Sequence, residues 1–588
     1  MMEKSWYIHT KRADFRGIAE RYGIDPVTAR VLRNRDITDD ESLRLFLYGG
    51  IDDLFDAGKL PDIGAAVALI RKGISEGLSI RIVGDYDIDG VCAAFIIYSC
   101  LRMLSAKVDY VIPERIRDGY GINHRIIEEA VSDGVDLILT VDNGIAAFEE
   151  LKLAKEKGLS IIITDHHDIR TDDEGRELIP ECDAAVDPKR LSSEYETRDI
   201  CGAVVAWKLA ELLLSDDEQL RMGWLRLLPF AAIATVGDVM PLTGENRIIV
   251  KEGLKAINSG LRKASEKKTD NDMGYPEIPI GLKELIKACG IEDKEITAYH
   301  VGFIIGPCIN ASGRLETALG ALELFLSEDE EEARRLAWHL KDLNEERKAM
   351  TERGVEEAIR AVERDFPEDL VIVVELPWLH ESLAGIVAGR LREHFGKPAF
   401  VITATDTEGI SKGSGRSVES YHMFEGLQRE QDILLRFGGH PMAAGLSIRT
   451  ADIAELRLRL NADCGLRPED LCEKIWIDAP MPISYVTEGL ITELSGLAPF
   501  GNGNPRPLFA EKDLMAYDLR ILGKNKNVLR FSLREKGRTP MNAIMFGDAE
   551  ELKRKIEDRD GSVSVLYSPQ INEYNGRREI QLSVLDIR

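Results

Sequence analysis

Short, strongly apolar runs recur through the first third of the chain, at 80–84, 108–112, 137–142, 160–165 and 183–187. The stretches between them, such as 91–104 and 145–158, carry apolar residues at helical spacing. Runs of Ile, Val and Leu without polar alternation are expected to be buried on both faces. Their alternation with helices predicts a doubly wound parallel sheet from Ser79 to about Pro188. Residues 200–260 read as mainly helical, and Gly260 to Pro279 as a polar connection. Glu328 to Asp365 sets apolar positions at helical spacing among dense charge, which predicts a long amphipathic connector. A second alternation opens at Leu370-Val371-Ile372-Val373-Val374, passes through a helix over 383–395 to Ala399-Phe400-Val401-Ile402, and ends near Ala462.

The pattern then changes. Six short strand-like runs follow, at 474–478, 516–522, 528–533, 542–546, 562–567 and 579–586, broken by turn signals at 523–527 and 574–576. They predict a small β-barrel, with an immunoglobulin-like sandwich left open by pattern alone. Residues 1–60 read as a helical extension, with Asp25-Pro26 opening one helix and a capping signal at 37–42 opening another. The expected units are therefore 1–60, an α/β domain over 61–325, a connecting helix over 326–365, a second α/β domain over 366–465, and an all-β domain over 466–588.

The candidate chemistry sits at the ends of the first set of runs. Arg81-Ile82-Val83 leads into Gly84-Asp85-Tyr86-Asp87-Ile88-Asp89-Gly90, the run at 137–141 into Asp142-Asn143-Gly144, and the run at 161–164 into Asp165-His166-His167. Open α/β sheets place ligands at the carboxyl ends of their strands, so these carboxylates and imidazoles are expected along one edge. So many carboxylates in one crevice repel each other and resist desolvation unless cations neutralise them. Oxygen ligands with one or two His favour Mn2+ or Mg2+ over zinc.

Composition limits the class. At 588 residues, with 44% hydrophobic positions and no long apolar stretch, the chain is expected to form several soluble domains with no membrane association. Eight scattered Cys without a Cys-x-x-Cys fit a reducing cytoplasm, and the first residues lack the apolar core of a signal peptide. The net charge of −26 disfavours a polyanionic partner at long range. Screening limits that objection, and from Glu511 onward Lys and Arg slightly outnumber Asp and Glu.

Taken in order, these clusters resemble the opening motifs of the DHH phosphoesterase superfamily. Ala234-Thr235-Val236-Gly237-Asp238-Val239-Met240-Pro241-Leu242 is similar to its fourth motif, and Gly306-Pro307-Cys308-Ile309-Asn310-Ala311-Ser312-Gly313-Arg314-Leu315 to a segment of RecJ-type exonucleases. The stretches at 380–391, 413–417 and 437–445 resemble the companion DHHA1 domain. The resemblance runs from about Ala29 to the end of the sequence and implies that the all-β domain is an OB-fold, entered through Pro499-Phe500-Gly501-Asn502-Gly503-Asn504-Pro505. Asp187, where Asn is common, and Cys92, where Ser or Thr is common, depart from the family pattern without removing a ligand.

On this resemblance the expected metal ligands, for two cations, are Asp85, Asp87, Asp142, His166 and Asp238. Asp89 is either a further ligand or a brace for its loop. His167 is expected to polarise a phosphoryl oxygen or protonate the leaving group, and Asp165 to orient a ligand imidazole. Gly438, Gly439 and His440 are expected to approach a phosphate, and Arg314 and Arg416 to offer it forked donors. The resemblance further implies a pocket for a terminal 5′ phosphate built from Arg115, Ser414 and Arg416. Phe531, Tyr567 and Tyr574 are candidates for base stacking, with core burial as the alternative. The implied activity is 5′→3′ hydrolysis of single-stranded DNA to nucleoside 5′-monophosphates in repair and recombination, with a RecQ-type helicase and a single-strand-binding protein as companions. A short-oligonucleotide or cyclic-dinucleotide phosphodiesterase and a non-catalytic single-strand-binding factor are the rival readings.

Overall fold

The computed structural model describes residues 4–215, 217–262, 275–574 and 577–588. Most of the polar connection read over 260–279 lies outside them, as does the centre of the turn at 574–576. The first α/β domain is built on five parallel strands in the spatial order Lys107–Val111, Ser79–Val83, Leu137–Val141, Ser160–Thr164, Ala184–Val186. Alternate residues feed different cores. Ile80, Ile82, Leu139 and Ile162 face the large cluster under the helices Ile88–Met103, Gly202–Leu213 and Glu218–Gly237, whereas Val83, Ile138, Ile161 and Ile163 face the helices His124–Ser132 and Phe148–Glu156. Burial on both faces is why these runs show no polar alternation.

The connector is one helix of 36 residues, Glu330–Asp365, started by Asp329, whose side chain accepts from the Glu332 amide. At 1.5 Å per residue it spans about 54 Å. It carries the chain to a second sheet in the order Leu434–His440, Ala443–Arg449, Ile410–Arg416, Ala399–Ala404, Ile372–Glu375, of which only the last two strands are parallel. Beyond it, Phe509–Leu522, Val528–Arg534, Met541–Phe546, Arg577–Ile587 and Ser562–Tyr574 pair in that order and close on themselves through Phe509–Leu522 and Ser562–Tyr574. Closure gives the expected OB barrel and leaves no open edge.

Two sequence readings need correction, and one left open is decided. The run at 474–478 is not a barrel strand: Glu473–Ile477 pairs in parallel with Lys4–Ile8, a strand inside what reads as a helical extension. That pairing joins segments more than 460 residues apart, so no local pattern announces it. The helices of the extension are not peripheral either. Val31, Leu32, Leu43 and Phe46 share one core with Leu514, Leu529 and Tyr567 of the barrel. Finally, Phe531 and Tyr567 are 1% and 0% exposed, so they are barrel core and not stacking surfaces. The Tyr567 hydroxyl donates to the Met481 carbonyl. All eight Cys are free thiols, and no helix among the described residues is long and apolar enough to cross a membrane.

Candidate metal centre and strand-binding pocket

The carboxylates reach the edge of the first sheet by different local devices. The turn after Ser79–Val83 is tight because Gly90 lies against it: a Cβ there would come within 2.6 Å of the Asp85 backbone. Asp87 caps the helix Ile88–Met103, accepting from the amides of Asp89 and Gly90. Asp142 leaves its strand with φ at 61°, a left-handed conformation that aspartate tolerates at modest expense. Its side chain packs over Gly202, where a Cβ would meet its Oδ1 at 2.7 Å. Asp238 terminates the helix Glu218–Gly237 on the same side.

These side chains converge into three overlapping groups whose ligand atoms lie within 4.8 Å of one another: Asp85, Asp87 and Asp142; Asp142, His166 and His167; and Asp89, His166 and Asp238. The His166 Nε2 is 3.1 Å from Asp142 Oδ1, 3.5 Å from Asp89 Oδ2 and 3.8 Å from Asp238 Oδ2. One buried oxygen each of Asp85, Asp142 and Asp238 has no hydrogen-bond partner. Burial first, then repulsion from Asp87, pushes Asp85 up to about 8. Burial with repulsion from Asp89 and Asp87 does the same to Asp238, and drives Asp142 well above the carboxylate range. Carboxylates that cannot all ionise together, with oxygens aimed at one another and left unbonded, are what a pair of hard divalent cations would satisfy. The donors are carboxylate and imidazole only, which suits Mn2+ or Mg2+. The neighbouring thiol of Cys201 is held protonated by burial and by Asp89.

The surroundings of Asp89 and Asp165 show what each carboxylate holds. Asp89 accepts from the amides of Gly202 and Ala203 at 2.6 and 2.8 Å, so its carboxylate braces the start of a helix while still facing His166. Asp165 orients His167, whose Nδ1 is 2.7 Å away, and not His166; it also accepts from the amides of Ile145, His166 and His167. Burial alone would lower the His167 pKa, but the bond to Asp165 and the surrounding carboxylates overcome it and lift the imidazole to about 9.

His440, from the second domain, lines a cavity of about 280 Å³ together with His166, His167 and Lys189. Gly439 just before it, at φ 147°, allows its hairpin: a Cβ would come within 2.4 Å of the Ala443 carbonyl. A second cavity, of about 480 Å³, is lined by Arg115, Ser382, Lys412, Ser414, Arg436 and Gly438 among others. Arg416 donates to Ser414 Oγ at 3.3 Å, and Arg314 donates to the Ser382 carbonyl at 2.8 Å. Burial lowers Arg314 to about 10, and Arg115, Arg347 and Arg416 add repulsion that Asp87 only partly offsets. The Arg115 guanidinium lies 4.8 Å over the ring of Tyr86, which stands between Asp85 and Asp87 in the chain, so the arginine cluster adjoins the acidic one.

Several site residues escape sequence reasoning. Tyr120 donates to the Asp142 carbonyl at 2.7 Å and its hydroxyl lies 3.1 Å from His167 Nδ1. Asn143 ties the strand ends together by donating to the carbonyls of Val83 and Val141 and accepting from the Ile122 amide. Asn310 accepts from the Ile88 amide, joining the helix that bears Arg314 to the one that follows Asp87. The Asp-Asn-Gly stretch and the segment at 306–315 carried Asn143 and Asn310 in advance without a role, and nothing marked Tyr120.

Comparison with known proteins agrees with this geometry. Residues 79–234 match the DHH family N-terminal domain, 369–464 the DHHA1 domain and 477–586 the RecJ OB domain. The chain is 36% identical over 586 residues to the single-stranded-DNA-specific exonuclease RecJ of Bacillus subtilis, covering 99% of this chain and 70% of that protein. It is 31% identical over 581 residues to the protein of the same name from Haemophilus influenzae, covering 95% of each. RecJ from Thermus thermophilus in complex with Mn2+ has a similar structure, with a TM-score of 0.80 at 28% identity over 100% of this chain and 80% of that one. Its complex with Mg2+ gives 0.73 at 26% identity, over 100% and 78%. With three family domains in order around one acidic centre, and relatives aligned along nearly its whole length, this chain belongs to the RecJ family.

Proposed function

We propose that the chain is an exonuclease that degrades single-stranded DNA from its 5′ end and releases nucleoside 5′-monophosphates, using two Mn2+ or Mg2+ ions. The observation that carries the direction of attack is the guanidinium cluster beside the acidic centre. Arg115, Arg314 and Arg416 approach one another, and among the described residues none of the three forms an ion pair with a carboxylate, although Asp87 partly offsets the charge of Arg314; a terminal phosphate would supply the missing balance. Seated there, the 5′ nucleotide would present its 3′ phosphodiester toward the carboxylates. Only a strand end fits such an arrangement.

Asp85, Asp87, Asp142, His166 and Asp238 would hold the cations, with Asp89 bracing the first turn of a helix beside them. When bound, these ions supply a water acidic enough to attack phosphorus at neutral pH and positive charge against the phosphoryl oxygens. His167 is kept protonated by Asp165, so it is suited to donate to a phosphoryl oxygen or to the departing 3′ oxygen. His440 approaches the same cavity from the second domain and offers a further donor. Lys189, whose Nζ is paired with Asp168 at 2.9 Å, lends positive charge at its rim. The barrel would hold the trailing strand. Repair and recombination, with a RecQ-type helicase to open duplexes and a single-strand-binding protein to coat the product, form the setting we propose.

The decisive experiment is digestion of end-labelled DNA oligonucleotides of each polarity, with RNA controls, in Mn2+ or Mg2+. Arg416→Ala should slow digestion of 5′-phosphorylated strands more than that of 5′-hydroxyl strands, by about tenfold for a charge-assisted fork. Release of label from the 3′ end first, or equal loss on both substrates, would sink the 5′ reading.

A further inference from the structure

The small sheet formed by Lys4–Ile8 and Glu473–Ile477 has two faces of opposite character. On the inner face Ile475 and Ile477 are buried, and with Trp6 they pack against Leu508, Ala510 and Leu566 at the wall of the barrel. The Trp6 indole donates to Asp586 at 2.7 Å. On the outer face the register sets Ser5 opposite Lys474 and Tyr7 opposite Trp476. Tyr7 is 43% and Trp476 51% exposed. Their ring centroids are 5.4 Å apart, and His9, which follows the strand, stacks on Trp476 at 4.9 Å.

A tryptophan fixed in register and half in water contributes less to folding than a buried one, and the barrel core beneath is already closed by other residues. The charge around it is also unusual for so acidic a chain. Lys474 is exposed beside Trp476, and Arg12 is exposed a few residues beyond His9. The carboxylates nearest His9 are engaged: Asp36 by Lys11 and Arg33, Asp478 by Arg35 and Asn34. Among the described residues, no Asp or Glu shares the outer face of the two strands.

We propose that Tyr7, His9 and Trp476, with Lys474 beside them, form a base-stacking platform for single-stranded DNA, separate from the catalytic cavities. Sheet faces that carry rings in register bind nucleobases because every base has a π-face, and a nearby cation meets the backbone. The platform abuts the barrel, since Glu473–Ile477 runs directly into Asp478, whose side chain accepts from the Leu508 amide. A strand leaving the barrel would pass over it. The inference rests on single-stranded DNA being the substrate.

The test uses the full chain in EDTA, where binding can be read without hydrolysis. Affinity for a long oligo-dT is compared with that for an abasic strand of equal length, in wild type, Trp476→Ala, Trp476→Phe and Lys474→Glu. Trp476→Ala is expected to weaken oligo-dT binding at least about fivefold, the low end for one stacked base, and to leave the abasic strand unaffected. Trp476→Phe should keep most of the affinity. Lys474→Glu, an exposed change that leaves the packing alone, should weaken both strands, and it decides the matter should Trp476→Ala unfold. Unchanged affinity in Trp476→Ala and Lys474→Glu would overturn the platform. So would a wild-type dimer that Trp476→Ala splits without any change in DNA affinity, because the face would then belong to a second copy. A wild-type chain that shows the expected binding pattern but cuts nothing when metal is restored would uphold the platform and sink the nuclease reading.

Discussion

Arg314 and Ser382 exchange hydrogen bonds across the junction of the two α/β domains. Arg314 Nη1 donates to the Ser382 carbonyl at 2.8 Å, and Ser382 Oγ donates to the Arg314 carbonyl at 3.0 Å. The helix Gly306–Leu315, tied to the acidic centre through Asn310, is thereby tied to the helix Glu381–Phe395 of the second domain. A guanidinium expected to serve a phosphate is also the clasp that sets the distance between phosphate pocket and carboxylates.

Replacing Arg314 by Met keeps the apolar stem and the Ser382 bond to the backbone carbonyl, and removes only the guanidinium half of the clasp. Because Arg115, Arg347 and Arg416 repel this buried charge, its loss should leave the melting temperature within a few degrees of wild type. The kcat/KM on single-stranded DNA is expected to fall at least about tenfold, the value of one charge-assisted bond. Steady-state kinetics beside calorimetry checks both halves. Full activity would show that the clasp sets nothing.

Asp142→Ala should abolish hydrolysis without unfolding the chain. Asp142 belongs to two of the three candidate ligand groups, so no neighbour replaces it. Its removal also relieves the burial of a carboxyl and its repulsion with Asp89 and Asp87, which together raise its pKa. Residual turnover above about one per cent of wild type would be too much for a residue proposed to hold the catalytic cations. Thermal unfolding in EDTA should show a midpoint no lower than wild type.

Asp85 gives the pH dependence its sign. Its folded pKa, about 8, lies above the ordinary value of 3.8, so the folded metal-free protein holds a proton that the unfolded chain releases. This contribution is fully present below about pH 4 and is lost as pH rises through the folded pKa. In EDTA, the stability difference between wild type and Asp85→Asn should therefore widen against wild type from pH 5 to pH 8. Adding Mn2+ should reverse the order at pH 8, because the variant lacks a carboxylate proposed to hold the cation and so gains less from it. A difference that stays flat with pH would mean that Asp85 is ionised without metal.

Deleting 466–588 alone should give an aggregating protein, since Val31, Leu32, Leu43 and Phe46 would lose the core they complete. Arg247 would also lose the carbonyls of Gly496 and Leu497, keeping only that of Phe46 and the ring beneath it. Removing 1–48 together with 466–588 takes away both halves of that core. The double deletion is expected to stay free of aggregate by sedimentation and to bind long oligo-dT more weakly, with a flatter salt dependence. An insoluble double deletion and a soluble single one would reverse this account.

The first sheet and the acidic centre were legible because their determinants are local. A run such as Ile161-Ile162-Ile163 reads as buried on both faces wherever it occurs, and an Asp at its carboxyl end has one place to go. What stayed hidden depends on distant partners. Lys4–Ile8 is too short to declare itself a strand without Glu473–Ile477, and Tyr120 looks like any tyrosine until its hydroxyl meets the Asp142 carbonyl. The choice of His167 over His166 as the partner of Asp165 is a matter of side-chain direction that adjacent histidines cannot signal. Phe531 and Tyr567 were ambiguous because the same aromatic residues fill barrel cores and line stacking surfaces, and only closure of the barrel decides between the two.

The union of the N-terminal segment with the barrel also orders events during synthesis. Residues 4–48 leave the ribosome long before the strand at 473–477 and the barrel that complete their sheet and their core. At ordinary translation rates the interval is on the order of half a minute to a minute and a half. Both α/β domains have time to fold in that interval, while the apolar sides of the first helices wait uncovered. Loop closure entropy grows only slowly with length, so the long separation costs little free energy. What it costs is time, during which those apolar sides stay uncovered on the nascent chain.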